Sequence, residues 1–206
     1  MRAMLVCVIV VSVGVAGCAD RAPRPTVPAN APKSSAIAQA DSTATEAKVS
    51  DLSANVELIE TNWAELQGLI AGQKGKVVVV DVWSTACEPC MKEFPHLIEL
   101  QQKHPVEVVA ISFDIDYAGV KNKPVTHYRE RVLKFLGTQA ENKVLHRMST
   151  TAADDLFTEL QLDSIPAVYV YGRDGTLAKR FDGSSGHGEG VSYEKQVAPF
   201  VAELVK

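Results

Sequence analysis

The segment VDVWSTACEPCMKEFPHL, residues 80–97, contains two cysteines, Cys87 and Cys90, only three positions apart. The β-branched run KVVVVDVWS, residues 76–84, ends just before them, and a continuous apolar run of this kind is typical of a strand buried on both faces. A helical pattern then extends over about residues 88–104. The sequence therefore places the two cysteines where a buried strand passes into a helix. They could be a redox pair, metal ligands or a structural disulfide.

The amino-terminal segment, residues 1–17, predicts a signal peptide. One positive residue, Arg2, precedes an apolar run over residues 4–16 that is too short for a membrane-spanning helix. The run leads into VAGC, residues 15–18, which resembles the lipobox of bacterial lipoproteins, in which the cysteine is acylated and becomes the first mature residue. This resemblance implies lipidation of Cys18 and attachment to a membrane without spanning it. The alternative is an ordinary leader with an incidental cysteine.

Residues 18–53 predict a disordered linker that tethers a folded domain. They are rich in Ala, Pro, Ser and Thr and hold few large apolar side chains, so they cannot bury enough surface to offset the entropy of ordering. A poorly ordered tail without a role is the alternative. Regular apolar patterning begins after this stretch, and residues 54–206 are predicted to form one domain.

Composition and cysteine count narrow the classes of function. The chain has 206 residues with 21 basic and 25 acidic side chains, a net charge of −4, and no dense basic patch, so nucleic acid is not an expected partner. Cys7 is expected to leave with the signal peptide and Cys18 to carry lipid. Only Cys87 and Cys90 then remain in the domain, too few for a disulfide framework or a four-cysteine zinc site.

The domain alternates between strand-like and helix-like segments and predicts an α/β fold with a mixed sheet. Strands joined through helices are expected to be parallel, and the terminal hairpin antiparallel. Strand patterns cover residues 56–60, 76–84, 106–114 and 143–150, helical patterns cover residues 61–72, 88–104, 121–137, 151–162 and 192–206, and a hairpin covers residues 166–183.

The predicted position of Cys87 favours a reactive thiolate. Unpaired backbone N–H groups and the helix dipole at a helix N-terminus stabilise negative charge and lower the pKa of a thiol placed there. Cys90 lies one turn further along the same helix face, within reach of Cys87. One thiol can attack the disulfide of a partner, and the other can resolve the mixed disulfide, so the spacing fits a two-electron redox couple.

The segment VVVVDVWSTACEPC, residues 77–90, resembles the active-site segment of the thioredoxin superfamily. The extra strand and helix before the hairpin, together with the lipid-anchored export predicted above, resemble the TlpA/ResA-like branch of extracytoplasmic thiol–disulfide oxidoreductases. The resemblance covers about residues 56–206. It implies an α/β, thioredoxin-like three-layer fold, with a mixed central sheet flanked by helices and a TlpA-type strand–helix insertion. Members of this branch are often reductants in cytochrome c maturation.

The resemblance also implies roles for residues outside the cysteine pair. Ile165 and Pro166 stand where the family has a cis-proline facing the cysteines, beside backbone groups that pair with substrate. Asp81 corresponds to the buried acid behind the second cysteine; burial should raise its pKa and let it exchange a proton with Cys90. Trp83 matches an aromatic that packs near the site, and we place it, with Ile165 and Pro166, among the substrate-binding residues. A strand boundary, a hydrogen-bonding strand residue and core packing are the respective structural alternatives.

Two residues beside Cys87 bear on how far the family pattern applies to this chain. Relatives usually have Trp directly before the first cysteine, whereas this chain has Ala86. The smaller side chain should leave the thiol less covered, so the substrate-binding surface of the relatives cannot be transferred directly to this chain. Glu88, which we place with the substrate-binding residues, repels a thiolate on Cys87 and opposes the helix dipole. This argues for a reductant, although a first-turn acid also simply stabilises a helix.

We therefore expect a thiol–disulfide oxidoreductase that uses the Cys87/Cys90 couple without a cofactor or metal. Its expected partners are a disulfide-containing protein substrate and a membrane electron donor that re-reduces it, at the extracytoplasmic (periplasmic) face of a bacterial membrane. The alternative is a copper or zinc metallochaperone, because thiolates select soft metals, but no histidine has convincing ligand spacing. The glycine-rich stretch 183–190 is either a rim for partners or a plain surface loop.

Overall fold

The computed structural model describes residues 56–183 and 190–206. The predicted signal peptide, Cys18 and the linker lie outside the described residues, as does most of the glycine-rich stretch. Within the described ranges, every helix is too short or too polar to span a bilayer. The strands are β1 (Leu58–Thr61), β2 (Val77–Trp83), β3 (Val108–Asp114), β4 (Leu145–Ser149), β5 (Ala167–Tyr171) and β6 (Leu177–Phe181), and the helices are α1 (Trp63–Ala71), α2 (Glu88–Lys103), α3 (Val125–Leu136), α4 (Ala153–Leu160) and α5 (Ala198–Leu204), the last preceded by a π-helical turn (Tyr193–Val197).

The described strands form one mixed sheet in the order β1–β4–β3–β2–β5–β6. The four strands from β1 to β2 in this order are parallel, whereas β5 is antiparallel to both β2 and β6. The prediction that helices connect parallel strands and that the terminal hairpin is antiparallel is confirmed. The α3–β4 unit follows β3 and adds a strand between β3 and β1, which is the predicted strand–helix insertion.

Strand β2 lies at the centre of the sheet, between β3 and β5, and all seven of its residues are buried. Its side chains alternate between two hydrophobic layers, with Val79 on one face and Val80 on the other. Helices α2, α3 and α5 cover the Val79 face, and α1 and α4 cover the Val80 face. Because both faces are covered, the strand is a continuous apolar run rather than an alternating one, and the three-layer prediction is confirmed.

The carboxyl-terminal segment differs from the single amphipathic α-helix that its pattern predicts. It begins with a π-helical turn, in which the Ala198 N–H donates to the Tyr193 carbonyl, and continues as α5. Pro199 explains the change, because it has no N–H and its ring clashes with the carbonyl four residues earlier, so the wider turn accommodates it. The turn leaves Tyr193, Val197 and Val201 buried against the sheet, and Tyr193 thereby reaches the functional site.

Candidate active site

Cys87 is the N-cap residue of α2, where the loop from β2 enters the helix. Its Sγ accepts a hydrogen bond from the Cys90 N–H at 3.2 Å, and its carbonyl accepts one from the Met91 N–H at 3.1 Å. The sulfur therefore takes the place of the oxygen that usually caps a helix, and the first-turn N–H groups favour negative charge on it. The predicted position of Cys87 at a helix N-terminus is confirmed.

Cys87 and Cys90 are joined by a disulfide, with their Cα atoms 5.3 Å apart. Cys87 is half-buried, whereas only 1% of Cys90 is exposed. The two sulfurs therefore differ in solvent accessibility, and an incoming partner meets Cys87 first. Among the described residues, His, Cys, Asp and Glu side chains form no group of three or more that could hold a metal ion.

The Ile165–Pro166 segment lies beside the exposed sulfur. The Ile165 carbonyl oxygen is 3.7 Å from the Sγ of Cys87, and the Ile165–Pro166 peptide bond is cis, as the resemblance implies. Ile165 is half-buried, Pro166 is buried, and β5 begins at the next residue. The backbone that enters this strand therefore forms one wall of the site.

Asp81 is buried near the end of β2, with 1% of its surface exposed. Strand alternation places its side chain on the face shared by Val79 and Trp83, the layer in which Cys90 also packs. The Tyr193 hydroxyl donates to Oδ2 of Asp81 at 3.0 Å, while Oδ1 has no hydrogen-bond partner among the described residues. Burial raises the pKa of Asp81 from 3.8 to about 7, against the lowering effect of the Tyr193 hydrogen bond.

Tyr193 connects Asp81 to helix α2. Its backbone N–H donates to Oε2 of Glu93 at 2.8 Å, and the Glu93 charge adds to the rise in the pKa of Asp81. Burial, followed by the Asp81 charge, raises the pKa of the Tyr193 phenol well above its usual value, so the hydroxyl keeps its proton and donates. The sequence analysis missed Tyr193, because it is 112 residues from Asp81 and no local pattern links the two.

Trp83 and Glu88, both predicted to bind substrate, have opposite environments. Trp83 is fully buried, with its ring centroid 4.8 Å from that of Phe94 and 4.9 Å from that of Phe135. It therefore packs beneath the site and offers no exposed atom to a substrate. Glu88 is exposed, and an oxygen of its carboxylate lies 2.8 Å from Nζ of Lys92; this hydrogen bond and the lysine charge lower the pKa of Glu88.

The loop between β2 and α2 is held by Asp116, which the sequence analysis did not select. Oδ1 of Asp116 accepts from the Ser84 hydroxyl at 2.6 Å and from the Thr85 N–H at 2.8 Å, and Oδ2 accepts from the Thr85 hydroxyl. Arg131 of α3 pairs with Oδ2 through Nε at 2.9 Å and Nη2 at 2.7 Å. One signal was available: Asp116 follows the carboxyl end of β3, and loops at the carboxyl ends of parallel strands meet at one edge of a sheet.

Asp81→Asn should stabilise the oxidised protein more at pH 8 than at pH 4.5. The folded carboxyl has a pKa of about 7 against 3.8 in its usual environment, so the folded state binds the proton more tightly and loses stability as pH rises from about 4 to about 7. A neutral amide avoids this loss. The difference in free energy of unfolding between variant and wild type, measured by urea denaturation, should grow across this window by roughly 4 kcal/mol and then level off.

The comparison with wild type is needed because His146 acts in the opposite direction. Burial lowers the pKa of His146 to about 4, so its contribution to stability is lost as pH falls from about 6.5 through 4. Both proteins retain His146, and its effect cancels in the difference. Asp163→Asn, at an exposed position, is the control and should not reproduce the rise; a pH-independent difference for Asp81→Asn would contradict the buried titration.

Tyr193→Phe should raise the pKa of Asp81 further, because it removes the hydroxyl that donates to Oδ2. The ionised carboxylate then loses its donor, so the variant should lose roughly 1–3 kcal/mol of stability at pH 8 and less at pH 5. Carbon-13 NMR of the side-chain carboxyls follows the titration of Asp81 directly.

Tyr171→Phe is the matched control for this measurement. Its hydroxyl accepts a hydrogen bond from the Gln67 side chain at 2.9 Å, in the layer on the other face of the sheet. This variant should lose stability without moving the Asp81 titration. If Asp81 titrated alike in both variants, the Tyr193 hydrogen bond would have no influence on the carboxyl.

Comparison with known proteins finds thiol-disulfide oxidoreductases among those similar to this chain. The thiol-disulfide oxidoreductase ResA of Bacillus thuringiensis is 25% identical over 129 residues, which are 61% of this chain and 66% of that protein. ResA of Bacillus subtilis is 38% identical over 72 residues, 33% of this chain and 38% of that protein. The chain thus matches about 66% of the length of the curated relatives named first.

Structural similarity and a family model complete the comparison. A crystal structure of a candidate thiol:disulfide interchange protein DsbE from Chlorobium tepidum superimposes with a TM-score of 0.48 at 17% identity, covering 66% of this chain and 84% of that one. A family model described as thioredoxin-like matches residues 75–177, half of the chain, including β2, the cysteine pair and the Ile165–Pro166 segment. The chain belongs to the thioredoxin-like family.

Proposed function

We propose that this protein is a thiol–disulfide oxidoreductase that acts on protein disulfides, with Cys87 as the nucleophile. One observation carries the proposal: the half-buried Cys87 sulfur caps a helix N-terminus, is bonded to the buried Cys90, and lies 3.7 Å from the Ile165 carbonyl. The family and the relatives named thiol-disulfide oxidoreductases support it.

In the reducing direction the reaction begins with both cysteines as thiols. The Cys87 thiolate attacks one sulfur of the substrate disulfide, forms a mixed disulfide, and releases the other substrate sulfur as a thiolate that takes up a proton. The Cys90 thiolate then attacks Sγ of Cys87 and releases the second substrate thiol. The substrate gains two electrons and two protons, and the protein is left with the Cys87–Cys90 disulfide.

We assign Asp81 as the base that removes the proton from the Cys90 thiol. A buried thiol must lose its proton before it attacks, and the side chain of Asp81 lies in the same buried layer. A carboxyl with a pKa of about 7 accepts and returns a proton readily at neutral pH. Tyr193 holds Oδ2, so Oδ1, which has no partner among the described residues, is the oxygen available to the thiol, directly or through one water.

We place substrate docking along the Ile165–Pro166 segment. An extended substrate strand lying there pairs with backbone groups and brings its disulfide to Cys87, as in other cases of strand addition. Ala86 and Glu88 are both exposed beside the sulfur, so a small apolar residue and a carboxylate flank the docked partner. Trp83 contributes by packing beneath the site instead of touching substrate.

The charge beside Cys87 supports a reductase rather than an oxidase. Strong oxidants stabilise their attacking thiolate, whereas the negative charge of Glu88, the residue that follows Cys87 in the chain, opposes that stabilisation. Lys92 offsets part of this charge through its pairing with Glu88. A reductase needs an electron donor, and we propose a membrane donor outside the cytoplasm, anchorage through lipid on Cys18, and cytochrome c maturation as the process, on the resemblance of the leader and domain to lipid-anchored members of the family.

Cys87→Ser should abolish the acceleration of insulin-disulfide reduction by dithiothreitol over the uncatalysed rate, because the variant lacks the attacking sulfur. Cys90→Ser, reduced and then freed of dithiothreitol, should instead accumulate a mixed disulfide between Cys87 and the substrate, because no second thiol resolves it. Turbidity of the released insulin chains measures activity, and non-reducing gels reveal the trapped complex. The double variant Cys7→Ser/Cys18→Ser removes the other two cysteines and should keep full activity. Retained activity in Cys87→Ser would sink the assignment.

The equilibrium potential of the Cys87/Cys90 couple should lie near that of thioredoxin, roughly −270 mV, and far from the roughly −120 mV of a strong oxidant. Equilibration with glutathione buffers, followed by alkylation and mass analysis, measures it. Glu88→Gln should shift the potential toward oxidising values, because it removes the charge beside the sulfur, and Glu99→Gln on the same helix should not. A potential near roughly −120 mV would reverse the proposed direction.

A further inference from the structure

We propose that Asp116 and Arg131 are positioning residues for Cys87: together they fix the loop of residues 84–86 and, through it, the sulfur at the start of α2. The inference rests on the proposed oxidoreductase function and adds to the site one residue that follows β3, Asp116, and one from the inserted helix α3, Arg131. It is carried by a continuous set of hydrogen bonds that runs from Arg131 to Cys87.

Asp116 is the centre of this set of contacts. Its side chain is fully buried, and its two oxygens accept from Ser84, from both the backbone and the side chain of Thr85, and from Arg131. A carboxylate has about four acceptor positions, so the Asp116 carboxylate is saturated. Burying such a group is costly unless it is paired and hydrogen-bonded, and here every donor except Arg131 belongs to the loop before Cys87.

Ser84 transmits this anchoring to the cysteine. Its hydroxyl donates to Asp116 and also accepts from the Ala86 N–H at 3.0 Å, while its carbonyl accepts from the Cys87 N–H at 3.0 Å. The backbone N–H of Cys87 is thus two hydrogen bonds from Asp116. Sγ of Cys87 receives the Cys90 N–H at the start of the helix. A loosened loop should therefore weaken this hydrogen bond and the stabilisation of the thiolate.

Arg131 supplies the charge that balances Asp116. It lies on α3, which is fixed to the sheet by the buried Val132 and Leu136, and its own side chain is 54% exposed. The neighbouring Asp114 is buried, and burial followed by the Asp116 charge raises its pKa well above the usual value, which favours its neutral form beside Asp116. The inserted α3–β4 unit therefore contributes the Arg131 side chain to the site, in addition to adding strand β4 to the sheet.

A positioning role and a purely electrostatic role of Asp116 and Arg131 predict different effects on the ionisation of the Cys87 thiol. If the pair acted on Cys87 by charge, Asp116→Asn would favour the thiolate and Arg131→Gln would disfavour it. If the pair acts by positioning, both changes disfavour the thiolate, and so does the neutral change Ser84→Ala. Asp81, Glu93 and the Glu88–Lys92 pair are retained in every variant. Asp114 is retained as well, but its pKa depends on the Asp116 charge, so the neutral change Ser84→Ala is the cleanest comparison.

The test is the rate at which iodoacetamide alkylates Cys87 between pH 4 and pH 9, in protein carrying Cys7→Ser, Cys18→Ser and Cys90→Ser so that one thiol reports. At pH 6, Asp116→Asn, Arg131→Gln and Ser84→Ala should each react roughly three- to tenfold more slowly than the parent, because less of the thiol is ionised. Arg131→Lys should restore much of the rate.

Arg129→Gln is the matched control on the same helix. Arg129 approaches Glu60 at 3.9 Å and, among the described residues, forms no hydrogen bond or ion pair with residues 84–86, so the variant should react like the parent. If Asp116→Asn fails to fold, Ser84→Ala still decides, because it removes a hydrogen bond to Asp116 without changing any charge.

Three outcomes separate the hypotheses. Slower alkylation in all three variants supports positioning. Opposite effects of Asp116→Asn and Arg131→Gln, or rates equal to the parent in all variants, would overturn it while leaving the oxidoreductase proposal intact. A wild-type protein that fails to reduce insulin would overturn the proposed function itself, whatever the alkylation rates of the variants.

Discussion

Complete burial of β2 is the constraint on which the site depends. A strand covered on both faces needs apolar side chains at nearly every position, and Asp81 is the ionisable exception. The same burial fixes the end of the strand at Trp83, so that the following loop places Cys87 at the start of α2. The cost of burying Asp81 appears as its raised pKa, and this raised pKa is the property that suits a carboxyl to proton exchange.

The sequence predicted those features that depend on neighbouring residues. The buried strand β2 and the helix start at Cys87 both follow from short patterns, and the structure confirms them. The order of strands and helices predicted the parallel and antiparallel pairings as well. The turn at Tyr193 was not foreseen, since it reflects how the chain accommodates Pro199 within an otherwise helical pattern.

The supporting contacts of the site could not be predicted in the same way. Tyr193 meets Asp81 across 112 residues, and Ser84 meets Asp116 across 32. Such pairs exist only once the sheet order brings β2, β3 and the carboxyl-terminal segment together. Trp83 illustrates the converse, because its sequence position beside the cysteines suggested substrate contact, whereas packing against Phe94 and Phe135 places it in the core.

Asp81 and Asp116, both buried acids near the cysteines, have contrasting environments. Asp81 has one donor, Tyr193, and one oxygen without a partner among the described residues, so its proton can leave and return with little rearrangement. Asp116 has donors on both oxygens and an arginine beside it, so moving it would break several contacts at once. An acid with a spare acceptor position suits chemistry, and a saturated acid suits support. The number of donors, more than burial itself, therefore separates the two proposed roles.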